Sequence, residues 1–330
     1  MSKRILITGA GGMIGLALAR NLLRRGHAVR CFDLYEQFLR RRDEVRGLRS
    51  LGDVEIVPGT IMDRWAIAIA AKECHAAVHL AAMLGVRRTE ENRLLCIDIN
   101  INGTDNVLNA CVQNNVGRVI VASSSEVYGE PTRNPVREDD ETKGKTVYAV
   151  TKLAAEELVK GYHQICPDLG YTIVRFFNTY GEGQVAQFAL SRFVKRVVEG
   201  NNPIVYGTGQ QKRSFCHMTD AVEGVALMLE SDRARNRVYN IGNSREVYTL
   251  KEAAQKVIDT LAPGKGRTVD LVGFEDSDRT SEREIFTRYC DTARATEELG
   301  FRPAVTLEDG IRRIAAAPEI HDSWIGAADW

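Results

Sequence analysis

The sequence predicts an α/β protein built on a doubly wound parallel β-sheet, with a smaller C-terminal lobe. Short apolar runs alternate with helical patterns over the first half of the chain, the rhythm of parallel strands joined by crossover helices. The first run, residues 5–7, passes through a glycine-rich turn into an amphipathic pattern that ends at Gly26. Beyond Asn178, closely spaced glycines divide the chain into short pieces.

The remaining strands of the sheet are predicted from apolar runs at residues 28–32, 54–57, 77–80, 119–122 and 172–175. Helix-like segments separate these runs, so consecutive strands should run parallel and helices should cover both faces of the sheet. We therefore expect residues 1–178 to form one domain, to which parts of later segments return. Residues 179–330 should form mainly the smaller, substrate-binding lobe, which contributes loops to a cleft.

Composition narrows the classes of partner. Lys and Arg together number 44, as do Asp and Glu, so no net charge favours nucleic acid or an anionic membrane as a partner. The seven cysteines include no Cys-x-x-Cys pair and no zinc-like grouping with histidine, so we expect no metal site. No apolar run is long enough to span a bilayer, and no cleavage signature follows the N-terminus. A cytoplasmic protein with a small-molecule partner is expected.

The turn after the first strand has the spacing of a dinucleotide site. Gly9 would permit the tight turn, Gly12 would let a pyrophosphate approach the backbone, and Gly15 would allow helix and strand to pack closely. Met13 and Ile14 begin the helix, whose N-terminus offers N–H groups and a positive dipole end to phosphates. This predicts a Rossmann-type sheet with the cofactor bound at its first turn.

Asp33 indicates which dinucleotide is bound. It lies at the end of the second predicted strand, where an acidic side chain accepts hydrogen bonds from a ribose diol. A carboxylate there repels a 2′-phosphate, so NAD is favoured over NADP. The alternative is an ordinary strand–turn–helix joint, but the acid at the end of the next strand favours the nucleotide site.

Tyr148 and Lys152 form a candidate acid/base pair. Residues four apart on a helix project from one face. An ammonium there would favour the phenolate and lower the tyrosine pKa from about 10 towards neutrality. Ser124, in a serine run that ends an apolar strand, could bind the same substrate oxygen. The spacing alone is common, and a pair on a surface helix is the alternative.

With the glycine turn and the Tyr148/Lys152 pair in one chain, the sequence resembles the extended short-chain dehydrogenase/reductase family. This family comprises nucleotide-sugar epimerases, dehydratases and decarboxylases. The likeness extends from Ile5 to about Ala316. The matching segments are the turn itself, Asp33, residues 79–82, 100–104 and 123–125, Tyr148 with Lys152, residues 175–181, residues 213–215 before Asp220, and residues 240–242.

The resemblance implies a tightly held NAD that removes a hydride, usually from C4 of the sugar, and often returns it. Tyr148 would take the hydroxyl proton, Lys152 would hold the nicotinamide ribose, and Ser124 would bond the same oxygen. Further cofactor contacts are implied for Leu80, Ala81, Ala82, Asn100 and Ser123.

The resemblance also implies a nucleotide-sugar substrate, most simply a UDP-sugar. Its binding residues would be Arg88, Ser125, Asn178, Arg213 and Arg288. Asn178 would contact the diphosphate, and the two arginines of the second lobe would clamp the phosphates, a task that suits guanidinium groups. A surface ion pair is the alternative for each of these two arginines. A homodimer is implied through helices near residues 100–112 and 148–163.

Glu126 could carry the reaction that is particular to this chain. Dehydratases of this type, and decarboxylases of UDP-glucuronate, place a glutamate two positions after the hydroxyl residue, whereas plain 4-epimerases usually do not. A ketone at C4 acidifies the C5 hydrogen and makes a C5 carboxylate a β-keto acid, so Glu126 could assist dehydration or decarboxylation.

Other interpretations stay open at this point. Residues 85–88 resemble a loop of 4-epimerases, so simple epimerisation of a UDP-hexose or UDP-hexuronate is possible. Glu126 could merely cap a nearby helix, and the chain could be a non-catalytic NAD-binding regulator. Two departures from the family pattern are Thr60, where an aspartate usually contacts adenine, and Glu182, where a proline usually follows Gly181.

Overall fold

A computed structural model describes residues 3–185, 188–273 and 285–317, with only the backbone of residues 86 and 87. Its strands, in chain order, are β1 (Arg4–Thr8), β2 (Ala28–Asp33), β3 (Val54–Pro58), β4 (Ala76–His79), β5 (Arg118–Ser124), β6 (Gly170–Phe176), β7 (Thr179–Tyr180), β8 (Ile204–Tyr206), β9 (Lys212–Ser214), β10 (Cys216–His217), β11 (Arg237–Ile241), β12 (Val247–Thr249), β13 (Asp270–Val272) and β14 (Thr287–Arg288).

The α-helices of the described residues are α1 (Met13–Arg24), α2 (Tyr35–Arg40), α3 (Arg42–Leu48), α4 (Arg64–Ala71), α5 (Val86–Glu91), α6 (Arg93–Ile97), α7 (Gly103–Gln113), α8 (Val147–Ile165), α9 (Ala189–Val198), α10 (Met218–Glu230), α11 (Leu250–Leu261), α12 (Ala293–Leu299) and α13 (Leu307–Ala316). A π-helical turn spans Asp98–Asn102, and 3₁₀ turns span Ser125–Tyr128 and Asp232–Ala234. None of the described helices is both long and apolar enough to cross a membrane.

The central sheet has seven parallel strands in the order β11-β6-β5-β4-β1-β2-β3. The order reverses between β1 and β4, which opens a crevice at the carboxyl ends of the strands where ligands bind in such sheets. The Rossmann-type doubly wound fold is therefore confirmed. Strand β11 was not predicted from the sequence. It comes from the second half of the chain and pairs with β6.

Alternate residues of the strands supply two separate cores. Ile5 of β1 packs in the core under α1 and α10, whereas the next residue, Leu6, packs in the core under α4, α7 and α8. Since successive side chains of a strand point to opposite faces, both faces of the sheet are covered.

The second lobe has its own core. Leu190 and Phe193 of α9, Val257 of α11 and Ile311 of α13 are buried together there. A three-stranded sheet, in which β9 lies between β12 and β14, borders this core. Helix α11 begins at a capping box in which the Thr249 hydroxyl accepts from the N–H of Glu252 and the Glu252 side chain accepts from the N–H of Thr249.

Candidate active site

The glycine turn between β1 and α1 leaves no room for side chains at two positions. Gly9 has φ +72°, and a Cβ built there would lie 2.7 Å from the backbone nitrogen of Ala81. A Cβ at Gly15 would overlap the carbonyl oxygen of Gly9. The turn is therefore packed directly against the segment that follows β4, and α1 lies close to β1.

Gly12 and the start of α1 fit a dinucleotide pyrophosphate. A Cβ at Gly12 would approach only the Gly9 oxygen, at 3.3 Å, so the other side of this residue is open. No described side chain caps the N-terminus of α1, which begins at Met13 and Ile14. Backbone N–H groups and the positive end of the helix dipole are therefore available to phosphate oxygens.

The substitution Gly15→Ala is expected to destabilise the protein by roughly 1–3 kcal/mol, because a Cβ there overpacks α1 against the turn. NAD affinity should fall with it. Thermal unfolding and an NAD titration would measure both effects. The matched control is Gly161→Ala in α8, where a Cβ meets nothing within 4 Å and a gain of about 0.5–1 kcal/mol is expected. Equal stability of the two variants would contradict this packing.

Asp33 is fixed beside the turn at the carboxyl end of β2. Its Oδ2 accepts from the N–H of Gly11 at 2.8 Å, and its Oδ1 accepts from the N–H of Leu34 at 2.8 Å. Burial raises the pKa of this carboxyl group, and the two N–H groups oppose that shift. These two bonds fix the orientation of the carboxyl group, and its contact with a ribose stays a prediction.

Three predicted catalytic residues come together where β5 meets α8. Ser124 ends β5, and its Oγ accepts from the N–H of Glu126 at 3.2 Å. Ser124 lies close enough to the Tyr148 phenol to act on its pKa, and the charge of Glu126 acts on the same phenol. The Thr146 hydroxyl caps α8 by accepting from the N–H of Ala149 at 3.1 Å and donates to Glu126 Oε2 at 3.2 Å.

The predicted pKa shift of Tyr148 was wrong in direction. The Lys152 Nζ lies 5.8 Å from the centroid of the Tyr148 ring. Loss of water around the phenol nevertheless raises the Tyr148 pKa, and the Glu126 carboxylate raises it further. Spacing on a helix could not show the desolvation or the nearby carboxylate. Within this chain, therefore, Tyr148 keeps its proton at neutral pH.

Lys152 is buried, and its surroundings set its charge. Burial lowers the pKa of Lys152 to about 8, opposed by Cys96 and Glu156. Burial, and next the charge of Lys152, lower the pKa of His79 to about 3, so His79 is a neutral neighbour. The ammonium form of Lys152 is therefore only marginally favoured near neutral pH.

His79 connects the glycine turn to the helices, a role that the sequence did not reveal. Its Nδ1 lies 2.7 Å from the hydroxyl of Thr8, the last residue of β1. Its Nε2 lies 3.0 Å from the hydroxyl of Thr104 in α7, which in turn donates to the carbonyl of Asn100 at 2.6 Å. The residues that follow it, Leu80, Ala81 and Ala82, are half-buried at the edge of the turn.

The side chains of Asn100 and Ser123 are hydrogen-bonded within the protein. Asn100 lies in the π-helical turn; its Oδ1 accepts from the N–H of Met83 at 2.7 Å, and its Nδ2 donates to the carbonyl of Met83 and to Thr151 Oγ1, both at 3.0 Å. The buried Ser123 hydroxyl donates to Glu156 at 2.5 Å. Both side chains therefore help to position the segments around the site, and their predicted contacts with the cofactor stay predictions.

The predicted phosphate-clamping arginines are neighbours. Arg213 of β9 and Arg288 of β14 are paired in register, and both are buried. Arg213 also donates to the carbonyls of Ile285 at 2.5 Å and Phe286 at 3.2 Å, so part of its guanidinium group holds β14 in place. Two adjacent buried cations fit the predicted phosphate contact, which stays a prediction.

Asn178 has features of a ligand contact. It has φ +36°, and its Oδ1 and the hydroxyl of Thr179 are buried without a hydrogen-bond partner among the described residues. Buried polar atoms are usually paired, so these two atoms are candidates for substrate binding. Thr179 was not singled out from the sequence. Ser125 is buried at the start of its 3₁₀ turn.

Two departures from the family pattern now have local explanations. Glu182 Oε2 lies 3.0 Å from Nε2 of His217, whose Nδ1 lies 2.8 Å from the Thr219 hydroxyl at the start of α10. The loop after Gly181 is thereby anchored by a side-chain hydrogen bond where a proline was expected. Thr60 Oγ1 accepts from the N–H of Met62 at 3.3 Å within a turn.

A second positive charge, that of Arg40, lies near Arg88. Burial lowers the pKa of Arg88, and the charge of Arg40 in α2 lowers it further. The two guanidinium groups therefore lie near each other, on segments that follow β2 and β4. Among the described residues, no group of His, Cys, Asp and Glu could hold a metal ion.

Fold and site together define an NAD-dependent enzyme that acts on nucleotide sugars. The chain belongs to the NAD dependent epimerase/dehydratase family, whose model it matches over residues 5–242. It is 34% identical to the UDP-N-acetyl-alpha-D-glucosaminuronate decarboxylase of Bacillus cytotoxicus, over 94% of this chain and 96% of that protein.

Solved structures of the family superpose closely. The dTDP-glucose 4,6-dehydratase of Streptomyces venezuelae, with NAD and TYD bound, has a TM-score of 0.84 and 27% identity, covering 94% of this chain and 95% of that one. The UDP-glucuronic acid 4-epimerase of Bacillus cereus, in complex with UDP-glucuronic acid and NAD, has a TM-score of 0.84 and 26% identity, covering 94% and 98%. The predicted family and cofactor are confirmed.

Proposed function

We propose that this protein oxidises C4 of a UDP-hexuronate and then removes its C5 carboxylate as carbon dioxide. The proposal rests on the position of the Glu126 carboxylate. Burial raises the pKa of the Tyr148 phenol, and Glu126 lies close enough to raise it further. Similarity to the decarboxylase of Bacillus cytotoxicus supports the same branch.

Tyr148 and Ser124 would bind the C4 oxygen together, because Ser124 lies close enough to the phenol to act on its pKa. To accept the C4 hydroxyl proton, Tyr148 must first release its own proton to solvent, and burial and the charge of Glu126 both disfavour that release. Lys152 in its ammonium form is the cation of this chain that favours that transfer. NAD, when bound, supplies the acceptor for the C4 hydride and returns the hydride at the end.

The second step follows from the C4 ketone. A carboxylate on C5 is then β to a carbonyl, so the C5–C6 bond breaks and its electron pair moves into the C4 carbonyl as carbon dioxide leaves. C5 then takes up a proton from solvent water, and we assign to the Glu126 carboxylate the relay of that proton from water to C5. Arg213, Arg288 and Asn178 would hold the diphosphate.

The experiment is incubation with NAD in deuterated water, separately with UDP-N-acetylglucosaminuronate, UDP-glucuronate and UDP-glucose. Carbon dioxide release with deuterium at C5 is the expected result for a uronate. Loss of water with deuterium at C5 would instead identify a dehydratase. Inverted configuration at C4, with no carbon dioxide and no label, would contradict the assignment of Glu126.

The second candidate is a simple 4-epimerase of a UDP-hexose or UDP-hexuronate. Similarity to the UDP-glucuronic acid 4-epimerase of Bacillus cereus favours it. The loop at residues 85–88 also resembles that of 4-epimerases. A non-catalytic regulator would be expected to have lost catalytic side chains, whereas Ser124, Tyr148 and Lys152 are all present.

We also propose that the chain forms a homodimer through the region of α6, α7 and α8. Leu94 is 83% exposed and Val150 is 52% exposed there, which is unusual for large apolar side chains on one surface. Light scattering should give twice the chain mass of 36.7 kDa. Val150→Glu should give monomers, whereas Ile69→Glu on α4 should leave the dimer intact. A wild-type monomer would contradict the proposal.

A further inference from the structure

Tyr148, Lys152 and Glu156 lie four residues apart in succession on α8 and so share one face of the helix. Glu156 is almost fully buried, at 1% exposure. The proposed chemistry uses the first two residues and leaves the third without a role. A carboxylate in this position needs an explanation, because a buried charge is costly unless it is paired.

The partners of Glu156 come from two strands of the central sheet. Its Oε1 accepts from Arg175 Nε at 2.9 Å and its Oε2 from Arg175 Nη2 at 2.7 Å, a bidentate ion pair with β6. Its Oε1 also accepts from the Ser123 hydroxyl of β5 at 2.5 Å. Ser123 directly precedes Ser124, so Glu156 fixes the end of the strand that presents the catalytic hydroxyl.

The far side of Arg175 is also anchored. Its Nη1 donates to the Tyr128 hydroxyl at 2.8 Å, and Tyr128 donates to Asn240 Oδ1 at 2.7 Å. The ion pair is therefore held in place by a chain of hydrogen bonds that runs to β11 and away from Lys152. The orientation of the Glu156 carboxylate is set from outside the catalytic pair.

The groups around Lys152 leave Glu156 as its important negative neighbour. Besides Tyr148 and Glu156 on its own helix, Lys152 faces Cys96 from α6 and His79 from β4. Burial raises the pKa of the Cys96 thiol and lowers that of His79 to about 3, so both groups are neutral at neutral pH. Burial lowers the pKa of Lys152 to about 8, and the Glu156 carboxylate opposes that shift.

We propose that Glu156 is a positioning residue of the catalytic helix that keeps Lys152 in its ammonium form and orients Ser124 through Ser123. The inference rests on the proposed function for its catalytic meaning, since it is Tyr148 that requires the cation. Its physical content, the effect of Glu156 on Lys152, is independent of which nucleotide sugar is the substrate.

The test is an NMR titration of isotopically labelled lysine side chains, with Lys152 assigned by the signal that is lost in Lys152→Met. In the wild type Lys152 should titrate near pH 8. In Glu156→Gln its midpoint should fall by about one pH unit, the low end of the effect of a nearby opposite charge. The alkaline limb of the pH–rate profile should move by the same amount.

Tyr128→Phe is the matched control, because it weakens the same network on the side away from Lys152. It should lower the melting temperature and leave the midpoint of Lys152 unchanged. If Glu156→Gln does not fold, the double variant Glu156→Gln/Arg175→Met removes the unpaired cation and serves instead.

An unchanged Lys152 midpoint in the folded Glu156 variant would overturn the inference. The titration does not depend on turnover, so it gives this answer even if the wild type acts on none of the nucleotide sugars. Failure of the wild type to act on any of the nucleotide sugars would contradict only the proposed function.

Discussion

The Tyr148→Phe variant is expected to lose turnover by about 10²–10⁴-fold, the usual contribution of a positioned acid or base. The substitution removes the hydroxyl that lies near Ser124 and that would exchange a proton with the C4 oxygen. The ring and its packing beneath Lys152 remain, so the fold and the NAD affinity should be preserved. Product formation and NAD titration measure the two effects separately.

Tyr162→Phe is the control for that experiment. Tyr162 lies on the same helix, and its hydroxyl donates to Asp105 at 2.8 Å, away from the catalytic pair. The Tyr162→Phe variant should retain turnover close to that of the wild type. A Tyr148→Phe variant with more than about a tenth of wild-type turnover would exclude Tyr148 as the proton carrier.

The sequence predicted those parts of the site that depend on local spacing. The glycine turn, Asp33 and the Tyr148/Lys152 pair are each defined by positions within a few residues of a strand or helix end. The parallel sheet followed from the alternation of apolar runs and helical patterns. β11 was missed because it contains the polar residues Arg237 and Asn240 and pairs with β6 only after a long excursion of the chain.

What could not be predicted depends on contacts between distant segments. The bonds of Asn100 to Met83 and Thr151 join segments that no spacing in the sequence connects. The ion pair of Glu156 with Arg175 joins residues whose partnership no motif indicates. The pKa of Tyr148 was predicted in the wrong direction because helical spacing shows the nearby ammonium and not the loss of water.

The opposing charges around Tyr148 have a mechanistic meaning under the proposed function. Glu126 raises the pKa of the phenol and so disfavours the deprotonated form that must accept the C4 hydroxyl proton in the first step. A carboxylate that hinders one step is tolerable if another step requires it. The cost to the first step is thus a reason to expect that Glu126 serves the second.

The Glu126→Gln variant is therefore expected to slow formation of the final product by about 10²–10⁴-fold while C4 oxidation continues. Glutamine retains an oxygen that can accept from Thr146, so the cap of α8 should persist. Loss of the charge should lower the pKa of Tyr148 towards its ordinary value. C4 oxidation requires the deprotonated phenol. As the pH is raised, the rate of C4 oxidation should therefore increase at a lower pH in this variant than in the wild type.

Single-turnover measurements of C4 oxidation, together with carbon dioxide release and C5 labelling, distinguish this role from helix capping. Thr146→Val removes the hydroxyl that links Glu126 to α8, and loss of such a cap costs about 1 kcal/mol. If Glu126 only supported the cap, both variants would lose stability and keep C5 labelling. If Glu126 transfers the C5 proton, Thr146→Val should be the less stable protein and Glu126→Gln the slower enzyme. Full wild-type C5 labelling in Glu126→Gln would show that a group other than Glu126 transfers the C5 proton.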